Sequence, residues 1–210
     1  FLMKSQLAVA ATSFLLAGPV LADKAGPYVS LGVTSNVYGS VDDDDFDSLF
    51  EDERVTGWRL EGGYIWDLGK PGGFHLGVVG AYNDFGKATI EEYYCSVCRE
   101  ELSVQAQALS VLLVIEQEIA SWVDFVFKVG PSAVAYDVDW TDYYIGGYYQ
   151  DSESSTEPGV TAVIGFTFFP TEFLAIELAS QGTAFVYDYA YGGDEVYTAS
   201  SLSLSLQYRF

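Results

Sequence analysis

Residues 201–210 alternate without a slip, with Leu202, Leu204, Leu206, Tyr208 and Phe210 set against Ser201, Ser203, Ser205, Gln207 and Arg209. A period of two held over that length predicts a β-strand with one apolar face and one small, polar face. Period-two segments separated by turn residues predict eight strands in all, at 28–38, 55–66, 74–83, 102–115, 123–136, 159–169, 173–181 and 197–210. Their connections alternate in length: 39–54, 84–101, 137–158 and 182–196 are long, while 67–73, 116–122 and 170–172 are short. An even number of strands with that alternation predicts an all-β fold, an eight-stranded antiparallel up-and-down transmembrane β-barrel with short turns at one end and longer loops at the other. The fourth segment is the exception. Residues 109–115 are apolar at every position but Ser110, so the parity there is unreadable, and a bulge could swap faces.

Soluble barrels alternate too, so the distribution of charge decides what the apolar face meets. The chain carries 30 Asp and Glu against 9 Lys and Arg, and 22 of those acids fall in the four long connections. A soluble barrel would spread charge over its outer strand faces. Here the polar face holds Ser30, Gly32, Thr34, Gly77, Ala81, Thr161, Gly165 and Thr167, residues suited to a crowded interior. The opposite face, with Val29, Leu31, Val33, Trp58, Leu60, Tyr64, Phe125, Phe127, Val129, Ile164, Phe166, Phe168, Leu174, Ile176 and Leu178, is suited to hydrocarbon. Trp66, Phe74, Trp122, Phe168 and Phe210 beside the short turns, and Tyr82, Tyr136 and Tyr197 near the long loops, predict aromatic girdles. No segment offers the roughly 20 consecutive apolar residues of a spanning helix.

A pattern of this kind, closing on the aromatic terminus Phe210, resembles the bacterial outer-membrane β-barrel domain family, in which the assembly machinery reads that terminus. The resemblance covers residues 26–210. It implies a location in the outer membrane of a Gram-negative bacterium, contact with membrane lipid and lipopolysaccharide, and a monomeric barrel. The amino terminus fits export: Lys4 follows Met3, an apolar run spans residues 7–16, Gly18 and Pro19 break it, and Val20, Leu21 and Ala22 form a small-residue cleavage site. Residues 1–22 are therefore expected to be a signal peptide and 23–210 one barrel domain. A net charge of −21 argues against nucleic acid, whose phosphates it would repel, and favours cations or basic partners.

Four charges share the inward parity: Arg59, Glu61, Lys128 and Glu177. Two bases and two acids facing one lumen should pair, because an unpaired charge there would cost several kcal/mol. This set is similar to the internal salt-bridge cluster of the small barrels typified by outer membrane protein A, in which the cluster closes the interior and serves as a gate. A purely structural plug is the other reading, since an eight-stranded interior is just wide enough for side chains to fill. Gln105, Gln107, Gln181 and Tyr136 are expected to add hydrogen bonds. Glu61 and Glu177 could form a general acid and base pair, but they have no cleft to serve.

His75, the sole histidine, follows a short connection and so belongs at the periplasmic end. Barrel enzymes that modify lipopolysaccharide resemble one another in using a histidine with a serine and an acid near the outer leaflet; here a triad lacks its base in the right place. No catalytic residue and no cofactor are expected. Cys95 and Cys98, alone in an exported chain, are expected to form a disulfide that staples a loop tip. The run Asp42, Asp43, Asp44 and Asp45 invites a calcium reading, but the spacing is not an EF-hand, and loose divalent binding by solvated loops is the alternative. Trp140, Tyr143, Tyr144, Tyr148 and Tyr149 make the third loop a candidate recognition surface, because Tyr gives contact area at low entropy cost. The expectation is a non-enzymatic barrel whose acidic, Tyr-rich loops serve surface binding, adhesion to an extracellular ligand or envelope integrity. A small porin and a lipid A-modifying enzyme are the rivals.

Overall fold

A computed structural model describes residues 24–40, 54–68, 73–95, 98–189 and 193–210. Eight strands run β1 (Gly26–Ser40), β2 (Val55–Asp67), β3 (Phe74–Cys95), β4 (Cys98–Ala120), β5 (Val123–Tyr144), β6 (Gly147–Phe168), β7 (Leu174–Tyr189) and β8 (Gly193–Arg209). Each pairs antiparallel with the next, and β1 closes on β8 from Tyr28↔Arg209 to Ser40↔Tyr197, giving a closed barrel. Closure leaves no open sheet edge in the spanning zone, which hydrocarbon requires. The expected signal peptide and the Asp42 to Asp45 run lie outside the described residues.

Alternation sorts the side chains as hydrocarbon demands. Leu31, Val33, Leu60, Leu113, Ile164, Phe166, Leu178, Leu204 and Leu206 are exposed on the outer wall. Ser30, Thr34, Thr161, Thr167, Ser203 and Ser205 are buried in the lumen. On β4 the even positions from Val104 to Glu116 face inward and Leu109, Val111 and Leu113 face out. Both faces read as apolar because the lumenal side chains of β4 are themselves apolar there: Leu112 and Val114 pack with Ile65, Val79, Val126 and Val163. At the short-turn end Trp66, Trp122 and Phe210 are exposed outward, and Trp122 stacks on Phe168 at 6.1 Å.

The structure corrects two expectations. Residues 84–101, 137–158 and, where described, 182–196 are not loops but strand through almost their whole length, so β3 to β6 reach 22 or 23 residues each. About 9 to 11 residues cross a bilayer, so the surplus stands outside it. Among the described residues β2 pairs with β3 only up to Trp58↔Asp84, and β7 pairs with β6 only from Gly159. Above those points β3 to β6 continue as a free-standing four-stranded sheet. The expected bulge exists, but on β3: between Asp84 and Lys87 there is one residue more than on β4 opposite. Gly86 takes φ 78 there, a left-handed conformation that glycine adopts without strain. Asn36 donates to the Phe85 carbonyl at 2.9 Å, Tyr38 donates to the Gly86 carbonyl at 2.6 Å, and the Ala106 N–H donates to the Tyr38 hydroxyl at 3.0 Å. The extra residue moves the inward face of β3 from odd positions to even ones.

Candidate functional site

Among the described residues, three kinds of chemistry line the lumen. In its middle, Lys128 on β5 donates to Glu61 on β2 at 2.7 Å and to Glu177 on β7 at 2.8 Å. Arg59 donates to Glu61 and stands 3.9 Å from Glu177. All four are fully buried, so two positive and two negative charges cancel where no water screens them. Gln207 on β8 donates to Glu177 at 2.7 Å and accepts from Arg209 at 3.2 Å. Arg209 in turn makes a forked pair with Glu116 on β4, at 2.8 and 3.2 Å. That fork matches carboxylate geometry at both oxygens. Arg209 also donates to the Lys24 carbonyl, and the Lys24 ammonium pairs with Asp124 at 2.9 Å and stands 3.6 Å from Glu118. The charges therefore form one chain from mid-barrel to the periplasmic mouth, where Phe169 lies 4.8 Å under Arg209 and 4.9 Å under Lys24.

Hydroxyls occupy the far wall above the charges. Thr161 joins Ser132 at 2.6 Å and Thr183 at 2.9 Å, and Ser110 joins Ser132 at 2.8 Å. An apolar cap closes the outer end with Tyr38, Phe85, Val104, Val134, Tyr136 and Phe185, the rings of Tyr136 and Phe185 stacked at 5.7 Å.

Beyond this cap the sheet of β3 to β6 presents an outward face in which residues from four strands line up in rows. Tyr93, Arg99, Tyr143 and Tyr148 form the row nearest the tip, and Glu91, Glu101, Thr141 and Gln150 the next. Arg99 sits 4.5 Å over the Tyr143 ring and pairs with Glu91 at 3.2 Å and Glu101 at 3.4 Å. Hydrogen bonds with Tyr93 and Tyr143 raise its pKa above the ordinary value. Lys87 pairs with Asp139 at 3.2 Å.

The family model of the outer membrane protein beta-barrel domain matches residues 7–210. The chain belongs to that family. Its place is the outer membrane of a Gram-negative bacterium. The sequence has no match among curated proteins. Among solved structures it is similar to Neisserial surface protein A, at 14% identity over 90% of this chain and 100% of that one, TM-score 0.52. It is also similar to Ail, the attachment invasion locus protein of Yersinia pestis, solved with the heparin analogue sucrose octasulfate, at 15% identity over 90% of this chain and 100% of that one, TM-score 0.48. The outer membrane enzyme PagL matches at 12% identity over 86% of this chain and 99% of that one, TM-score 0.41.

In this outer-membrane barrel the structure brings Arg59, Glu61, Lys128 and Glu177 together, and it redistributes their supporting cast. Gln105 and Gln107 stand on the outward parity of β4 and take no place in the lumen. Gln181 is buried but donates to Thr183 at 3.3 Å, and Tyr136 and Tyr197 face the apolar cap instead of forming an outer girdle. Tyr82 does face out, 5.0 Å from Trp58. Glu116, Asp124 and Arg209 escaped the sequence reading. Asp124 shares the parity of Lys128 and Arg209 that of Gln207, so the signal existed for both; Glu116 lay in a segment read as a turn. His75 is buried near the periplasmic end, its Nδ1 3.9 Å from Asp67. Cys95 stands opposite Cys98 in the backbone register at the end of the β3–β4 hairpin.

Proposed function

We propose that this barrel is a non-enzymatic display protein: a membrane anchor that holds the sheet of β3 to β6 beyond the outer leaflet for surface binding. The observation that carries the reading is the contrast between the two parts. The lumen is packed with paired charges, joined hydroxyls and a ring-filled cap, which serves anchoring better than passage. The external sheet is long, and it exposes Tyr144, Tyr148, Tyr149 and Trp140, residues that make contacts at low entropy cost. The position of His75 near the periplasmic end, with Asp67 as its acidic neighbour, supports the non-enzymatic reading. The lumenal charge cluster is a structural plug in this account, and a monomer suffices for it.

The test is a deletion strain carrying either the whole chain or a chain in which β3–β4 and β5–β6 are cut to short turns. The whole chain should restore adhesion and envelope integrity and the trimmed barrel should not. Equal adhesion by both would dismiss the display role. In planar bilayers the purified protein should give no lasting single-channel steps. Regular openings at neutral pH would favour a pore.

The Cys95–Cys98 disulfide belongs to the same proposal as a staple at the hairpin tip. Cells expressing the protein should yield non-reduced barrel that takes no thiol label, and Cys95→Ser with Cys98→Ser should insert normally, since the ladder is closed without it. Labelling of both thiols before reduction counts against the bridge. Divalent cations are proposed as loose, collective partners of the acidic external segments.

A further inference from the structure

We propose that the outward face of the external sheet carries a binding site for a neutral carbohydrate, centred on Tyr148, Gln150 and Thr141; this rests on the reading of that sheet as a recognition surface. The site is a shallow cleft of about 390 Å³ floored by β4, β5 and β6. Adjacent strands lie about 4.8 Å apart, so three of them give a floor roughly 10 Å wide, the scale of a sugar ring or two. Ser103, Thr141 and Gln150 supply short hydroxyl and amide groups to that floor. Glu101 and Asp139 supply carboxylates from its sides.

Three features select the ligand. The first is aromatic. Tyr148 is 64% exposed, and its ring sits 6.2 Å from Tyr143, whose own ring is covered by Arg99. The stack of Arg99, Tyr143 and Tyr148 holds the outermost ring in place beforehand, ready for the C–H face of a pyranose. The second is the state of the carboxylates. Each already has a cation, Arg99 for Glu101 and Lys87 for Asp139. An ionised carboxylate has about four acceptor positions, so one ion pair orients it and leaves acceptors for ligand hydroxyls. The third is electrical. In a chain with a net charge of −21, bases above the membrane are scarce, and two of the three in the long connections, Lys87 and Arg99, stand at this one place. They bring the cleft near neutrality. A sulfated or phosphorylated sugar would meet Glu91, Glu101 and Asp139, and a free cation would have to displace Lys87 or Arg99. A polyhydroxylated, uncharged ligand meets neither obstacle. Such sugars are found both in the core of neighbouring lipopolysaccharide and in glycans on another cell's surface.

The test uses the complete barrel in phospholipid nanodiscs, fluorescently labelled and applied to an array carrying neutral oligosaccharides, heparin-derived sulfated oligosaccharides and synthetic uncharged core oligosaccharide, made of the neutral outer-core sugars of lipopolysaccharide. Binding to a neutral oligosaccharide is expected. Tyr148→Ala and Gln150→Ala should each weaken it about tenfold or more, while Ser155→Ala, on the opposite face of the same strand, should not. Unchanged heat-dependent gel mobility will establish that the variants are folded. Binding of core oligosaccharide alone would place the ligand in the same membrane, and binding of other neutral glycans alone would place it on an opposing surface; either supports the site. Binding confined to sulfated sugars, no binding at all, or neutral-sugar binding that survives both Tyr148→Ala and Gln150→Ala overturns it. Adhesion by whole cells that persists in the overturned case would leave the display role standing, so the two failures are separable.

Discussion

Replacing Lys128 with Met should lower the unfolding free energy of the detergent-solubilised barrel by about 3 to 5 kcal/mol, the cost of leaving buried charge uncompensated. Among the described residues Lys128 is the only cation in contact with both acids at hydrogen-bond distance, 2.7 Å from Glu61 and 2.8 Å from Glu177. Without it Arg59 still serves Glu61, but Glu177 keeps only Gln207 at short range and Arg59 at 3.9 Å. Converting all four charges to apolar residues of similar volume should cost less than the single change, because desolvation and attraction are removed together. Urea titrations of the folded barrel, read by gel mobility, measure both. A Lys128→Met variant that unfolds at the wild-type midpoint would mean that the cluster is not what holds the lumen.

Arg209→Met should cost a similar amount, about 3 to 5 kcal/mol, and for a reason that can be isolated. Glu116 is 1% exposed and receives both arms of the guanidinium, so the variant strands a carboxylate. Adding Glu116→Gln to Arg209→Met should recover part of the loss, since the remaining side chain is neutral. A double-mutant cycle built on the same titrations gives the coupling directly. Additive losses would show that the two side chains act independently and that the forked pair contributes nothing of its own.

The closing strand shows how the fold became legible. From Ser201 to Phe210 a lipid-facing residue follows a lumen-facing one at every step, and the two environments differ so sharply that the pattern admits one reading. The same logic located Arg59, Glu61, Lys128 and Glu177, because a charge on the inward parity of a lipid-bathed strand has nowhere to go but into a pair. It broke down where the lumen turns apolar. Leu112 and Val114 look like membrane-facing residues and are not, and with the parity of β4 lost, Glu116 was lost too. Beyond the bilayer both faces of the sheet are wet, so Tyr143 to Gln150 carry no period-two signal, and the long strands look like loops in the sequence. Arg209 was in view throughout, but alternation reports a face, and only the assembled mouth shows that Glu116, Gln207 and Lys24 converge on it.

Lys24 and Arg209 are both committed inside that mouth, Lys24 paired to Asp124 and Arg209 to Glu116, whereas the opposite extremity is free. At the turn between β5 and β6, Ile145 is 81% exposed and a side chain added at Gly146 would meet nothing within 4 Å. A foreign peptide or affinity tag should therefore be spliced between these two residues, where it would be carried clear of the cell surface, and not placed beside Arg209, where it would compete with the plug at the periplasmic mouth.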